Sequence, residues 1–164
     1  MIRTLTALFA ILAVVAAKAQ LAADDPDWKE TDAPAPPAFE KSRLIPFEVS
    51  RAQSMAFGVD PATITLGKDG VVRYVVVASG QGGSLNAMYE AIRCATGEFK
   101  TYARRTADSE WVLVKDASWK SMQENMPSRH AYRLARQGIC GGRAPLSSVA
   151  EMVRNLRSPS VDNR

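Results

Sequence analysis

Between residues 44 and 115 apolar and polar positions alternate with a period of two, and from residue 127 the period lengthens to that of a helix. Leu44 to Phe57 opens with Leu-Ile-Pro-Phe-Glu-Val, a strand pattern whose Pro46 suits a sheet edge. Gly58-Val59-Asp60-Pro61 reads as a turn. Ala62–Leu66 and the valine-rich Val71–Ala78 flank Gly67-Lys68-Asp69-Gly70, which predicts a hairpin. Leu85–Ala95 fits either period, but Met88 to Cys94 alternates between two glycine-bearing turns, which favours a strand. Glu98–Arg104 places Phe99, Thr101 and Ala103 on one face, and Glu110–Lys115 follows as a further strand. The pattern predicts an antiparallel meander of about five strands.

The C-terminal quarter reads as helical. From Pro127-Ser128 a helical wheel gathers Ala131, Tyr132, Leu134, Ala135 and Ile139 on one side and Arg129, Arg133 and Arg136 on the other, with Gly138 placed to end the segment. Ser148-Val149-Ala150-Glu151 has the form of a capping box, and Val149, Met152, Val153 and Leu156 then form one stripe that stops near Pro159. Strands followed by helices predict an α+β fold: a five-stranded meander with two C-terminal amphipathic helices packed on it.

Ahead of the strands lie two segments of different character. Met1–Ala19 has Arg3, an apolar run from Leu5 to Ala17 broken only by Thr6, and Ala17-Lys18-Ala19 as a small-x-small cleavage pattern. The run is short of the ~20 apolar residues that span a bilayer, so it reads as a cleavable signal peptide, and no later stretch is apolar enough to cross a membrane. Residues 20–43 are acidic and carry Pro34, Pro36 and Pro37, and read as a solvated, extended leader that docks, if at all, through Trp28 or Phe39. The organisation expected is a signal peptide at 1–19, a leader at 20–43, one domain at 44–158 and a tail at 159–164, with the working protein in the periplasm.

Composition changes this picture in two places. The 164 residues carry a formal net charge of +4, but removing residues 1–19 takes away Arg3 and Lys18 and no acid, leaving +2. What remains is segregated: residues 120–164 hold eight basic and three acidic residues, whereas 20–119 hold eleven and fourteen. A nucleic-acid partner is not expected on this charge balance. The two cysteines, Cys94 and Cys140, read as a disulfide in an exported chain. The competing reading makes one of them a nucleophile with His130 as its base.

Candidate chemistry is sparse. The two cysteines and one histidine cannot make the usual structural zinc sets, so no metal is expected. Gly80, Gly82 and Gly83 follow a strand, where phosphate-cradling loops occur, but lack the Gly-Lys-Ser/Thr ending, and no cofactor is expected. Their small side chains suit close approach of a partner backbone. His130 is the weak catalytic candidate, since no nucleophile elbow accompanies it. Glu90, Glu98 and Glu110 are available carboxylates with no spacing that pairs any two. Arg129, Arg133 and Arg136 form a candidate surface for an anionic envelope component or an envelope protein.

Phe57-Gly58-Val59-Asp60-Pro61, Asp69 to Val77 (DGVVRYVVV) and above all Tyr89 to Ala103 (YEAIRCATGEFKTYA) resemble the cryptic neisserial protein-like (CNP-one-like) uncharacterised domain family of proteobacterial exported proteins. The resemblance spans about residues 27–157, with Ala91 where the family pattern has Gly. It implies a Gram-negative envelope protein, a single domain and a strand at 86–94, and it implies no catalytic residues. The expectation is a non-enzymatic binding or interaction module. A small periplasmic hydrolase using His130 is the alternative.

Overall fold

The valine density of residues 71–78 decides the architecture, because β-branched side chains on both faces of a strand require cover on both faces. In the computed structural model, which describes residues 25–50, 54–107, 109–126 and 128–158, Val71 to Ala78 are all buried. The predicted signal peptide and the tail from 159 onward lie outside the described residues.

Three nine-residue strands make the centre: β4 (Val71–Ser79), β5 (Leu85–Arg93) and β6 (Glu98–Thr106). Shorter strands extend them: β1 (Ile45–Phe47), β2 (Ala56–Val59), β3 (Thr65–Leu66), β7 (Val112–Leu113) and β8 (Lys120–Ser121). The result is one antiparallel eight-stranded sheet ordered β1-β2-β4-β5-β6-β7, with β3 also on β4 and β8 also on β6. The five-strand expectation therefore fell short. It read 62–66 as one strand, whereas Pro61–Thr63 is a 3-10 turn capped by the Asp60 side chain, and only Thr65–Leu66 pair with β4. The rest of that edge of β4 is taken by β2, which the sequence reading had split between a strand and a turn.

The helices are shorter than expected. α1 covers His130–Leu134 and passes directly into a π-helical turn, Ala135–Ile139, so Gly138 lies inside the helical run instead of ending it. The glycine is required there by packing: a Cβ on Gly138 would stand 2.7 Å from Cγ of Leu156. Beyond it a two-stranded hairpin, β9 (Cys140–Gly141) with β10 (Ala144–Pro145), leads to α2 (Val149–Arg157). Ser148 caps α2 as predicted, accepting from the Glu151 N–H at 3.2 Å, while the Glu151 carboxylate reaches Ser147.

Alternation along β4 separates two cores. Val72, Tyr74, Val76 and Ala78 join Met88, Ile92 and Phe99 against Ala131, Leu134, Ile139, Met152 and Leu156 of the helical layer. Val75 and Val77 join Leu85, Ala87, Tyr89 and Ala103 on the other face, where Phe39 and Leu44 pack. The segment read as a solvated leader is thus the second covering layer. Trp28 Nε1–H donates to the Asp69 carbonyl at 2.8 Å, Thr31 donates to the Asp69 carboxylate through both N–H and Oγ1, and the Glu40 N–H donates to Asp60 Oδ2 at 2.8 Å. Trp28 and Phe39 dock as anticipated, against Trp119 and Trp111. Of the leader's acids Glu30 docks as well, because the sheet offers it Lys100.

Candidate functional site

The register of β5 against β6 shifts between Tyr89 and Glu90. Tyr89 pairs with Ala103 and Glu90 with Thr101, so Tyr102 is the extra residue of a β-bulge. The bulge aims Tyr102 and Ala103 at the leader face, and keeps Phe99, Thr101 and Arg104 toward the helical face. Two polar clusters follow, one on each side of the sheet.

The inner cluster surrounds Glu90, which is fully buried at the centre of β5 between Met88 and Ile92. Nε2 of His130 lies 2.8 Å from Glu90 Oε2, Thr101 Oγ1 donates to Oε1 at 3.0 Å, and Tyr74 donates its hydroxyl to Oε2 at 3.3 Å. The other ring nitrogen of His130, Nδ1, is 2.9 Å from Ser128 Oγ, which also accepts the His130 N–H at 3.2 Å. Phe57 stacks on the imidazole with centroids 5.5 Å apart, and Phe99 meets it edge-on. Burial opposes the charge on both groups, but each favours the ionised form of the other, so His130 is raised above its ordinary value and Glu90 lowered below its own. Burial and the Glu90 carboxylate together raise the Tyr74 hydroxyl far above its usual range.

Ser128, His130 and Glu90 therefore form a hydrogen-bonded line from the segment before α1 to the middle of β5. The ring is 6 % exposed and sandwiched between aromatic side chains. The arrangement is a strut joining β5 to α1.

The outer cluster holds the leader. Glu30 accepts from Lys100 Nζ at 2.9 Å, from Trp119 Nε1 at 3.1 Å and from the Tyr102 hydroxyl. Arg73 pairs with Asp69 at 2.8 Å and stands 3.8 Å from Glu30. Burial raises the Glu30 carboxyl, but the Tyr102 and Lys100 hydrogen bonds outweigh it and hold the group below its ordinary value. Burial and then Glu30 push the Tyr102 phenol up. Burial likewise opposes ionised Asp69, yet the Arg73 and Thr31 bonds hold its carboxyl well below the usual range.

Cys94 and Cys140 form a disulfide with Cα atoms 5.8 Å apart, tying the end of β5 to β9. The bridge lines a cleft of about 540 Å³ with Tyr132, Arg136, Gln123 and Asn155. The sequence-predicted arginines separate around it. Arg136 lines the cleft, Arg129 is exposed and lies over the Tyr132 ring at 4.8 Å, and Arg133 is also exposed but spends its Nε–H on the Val49 carbonyl at 3.2 Å. Gly80, Gly82 and Gly83 form the β4–β5 turn, where Gly82 and Gly83 take φ of 86° and 84° and the Gly80 N–H donates to the Ser84 carbonyl. No hydrogen bond or ion pair among the described residues joins this turn to the three arginines. Nor do the described residues include a group of three or more His, Cys, Asp or Glu placed to hold a metal ion.

A family description, the CNP1-like family, matches residues 23–157. The chain belongs to the CNP1-like family. The match takes in the docked leader, both polar clusters and the disulfide, so the CNP1-like unit includes residues 25–43 along with the sheet. Comparisons with curated proteins and with solved structures gave no match. No helix among the described residues is long and apolar enough to cross a membrane.

Sequence reasoning missed Glu90 as the partner of His130. The signal was present: Met88, Glu90 and Ile92 share one strand face, so an acid there had to be buried and to find a counter-charge. The chain has one histidine and it lies on the element predicted to cover that face. Glu30 left no such mark, since an acid in an acidic, proline-bearing stretch is where solvent is expected.

Proposed function

We propose that this CNP1-like chain is an exported, disulfide-stapled protein of the Gram-negative periplasm, and that it works as a non-enzymatic binding module for an anionic envelope component. The observation that carries the reading is the fate of His130. Both ring nitrogens are spent on internal bonds, and its charge is matched by Glu90. The most reactive side chains of the interior are thereby committed to the fold. Arg129 and Arg136 remain outside with no acidic partner among the described residues, flanking Tyr132 and a cleft floored by the disulfide. An exposed cation pair beside a half-apolar cleft suits an anionic group carried on a less polar body. The disulfide supports an oxidising compartment.

Sedimentation with anionic vesicles at low salt tests the reading. The oxidised protein is expected to co-sediment, and the triple variant R129Q/R133Q/R136Q to stay in the supernatant. Equal behaviour of the two proteins, or no binding by either, overturns it.

A further inference from the structure

Most cations set into the sheet are matched. Arg43 pairs with Asp60, Arg73 with Asp69, Lys100 with Glu30, and Arg93 lies over the Trp28 ring at 3.7 Å. One group departs from this rule. Arg104, Lys115 and Lys120 line a single cavity of about 150 Å³ on the helical face of β6; Arg104 donates to Met88 Sδ at 3.7 Å and its charge acts on the buried Glu90 carboxylate, itself matched by His130, and no ion pair among the described residues joins any of the three to an acid. The bulge at Tyr102 brings Arg104 to this face, and the segment between β7 and β8 arches over it, carrying Lys115, Asp116 and Ser118.

Three like charges around one small cavity repel one another, and an anion between them relieves that repulsion. Asp116 lies on the same rim but within ion-pair distance of none of the three, so two positive charges remain in excess. Asp116 also takes a left-handed φ of 52°. Ser118 adds a hydroxyl to the lining, which also includes Phe99 and Met126. The cavity has room for a small oxyanion and excludes a strand or a helix.

We infer that the cavity walled by Arg104, Lys115 and Lys120 is a binding site for a phosphate group. It stands apart from the arginine surface proposed above, in its residues and in its readout. Lysine and arginine both bind phosphate, the former as a point charge and the latter as a fork, and a rim of two lysines and one arginine accommodates either a free phosphate or a lipid headgroup.

The test is titration of the oxidised, ¹⁵N-labelled protein with sodium phosphate, against sodium chloride at matched ionic strength. Saturable shifts are expected in the amides of residues 115–118. The variant R104Q/K115Q/K120Q is expected to bind at least about tenfold more weakly, since charge-assisted bonds are lost. The control R154Q/R157Q, which removes two positive charges from the exposed side of α2, is expected to bind as the parent does. Should the triple variant fail to fold, K115Q alone, at an exposed turn, is expected to weaken binding about threefold. A second arm uses phosphatidic acid vesicles: binding that depends on the three cations assigns a headgroup, and phosphate saturation without vesicle binding assigns a soluble phosphate, and both uphold the site. Shifts no larger than those with chloride, or undiminished in the variants, overturn it.

Discussion

His130 Nε2 and Glu90 Oε2 lie 2.8 Å apart in the interior, the histidine from the first turn of α1 and the glutamate from the middle of β5. Removing one partner of such a pair leaves a buried charge or a buried polar group unmatched, at a cost of about 3–5 kcal/mol. E90Q is expected to unfold at markedly lower urea than the parent at pH 6. An unchanged midpoint would show that the strut contributes nothing.

The same pair sets a pH dependence. Folding raises His130 above its ordinary 6.5, so its contribution is complete below that pH and fades as pH climbs through the raised value. Folding lowers Glu90 beneath its ordinary 4.5, so its contribution is complete above 4.5 and fades as pH falls through the lowered value. The pair stabilises most between these limits. Tyr74 stays neutral across the range, and Arg104 lowers both values. Urea midpoints of the parent are expected to fall between pH 6 and pH 9, and those of E90Q to fall much less. Parallel profiles would rule this out.

Reduction probes the staple. The bridge closes a separation of 46 residues. On chain entropy this restricts the unfolded state by about 4 kcal/mol. Unfolding monitored with and without a thiol reductant is expected to differ by a quantity of that order. The reduced protein should keep its sheet signal at low denaturant, because the bridge lies at the end of β5 and not at its centre.

Leader docking makes a fluorescence prediction. Glu30 accepts from Trp119 and lies beside the Trp28–Trp119 pair. E30A leaves Lys100 and Tyr102 without their acceptor, with an expected loss of about 1–3 kcal/mol. It should also red-shift tryptophan emission as the leader loosens. An emission maximum identical to the parent's would mean that Trp28 and the apolar contacts hold the leader alone.

Gly138 offers a packing test. An added Cβ meets Leu156 at Cγ (2.7 Å) and at N (3.0 Å). G138A is expected to destabilise by about 1–3 kcal/mol despite the better helix propensity of alanine. A rise in Tm would mean that α2 shifts freely against the π-helical turn.

The legible parts of this fold were those governed by local pattern. The strand at 71–78 follows from its valines beside a turn, those at 86–94 and 98–104 from alternation between turn residues, and α2 from its capping box and stripe. What alternation does not carry is pairing across distance. β7 and β8 are two residues each, held by their partner strand and not by propensity. The helix from 130 keeps its apolar side but changes its hydrogen-bond step at Ala135, where Gly138 must pass Leu156. In the candidate site, the bridge was read from two cysteines alone, whereas the bulge that sorts Tyr102 from Thr101 has no mark in composition. The cavity of Arg104, Lys115 and Lys120 depends on that bulge and was equally invisible.

The bonds of Glu30 to Lys100, Tyr102 and Trp119 span 70, 72 and 89 positions of chain. The residues that cover the second face are thus distant in sequence from the groups that hold them. Until the chain through Trp119 has been synthesised, Val75, Val77, Leu85, Ala87 and Tyr89 have no complete roof. Any species that forms the central hairpin first presents that apolar face to solvent, and contacts of such range slow its closure. Loss of the strap is therefore expected to leave the second core open to association with another chain.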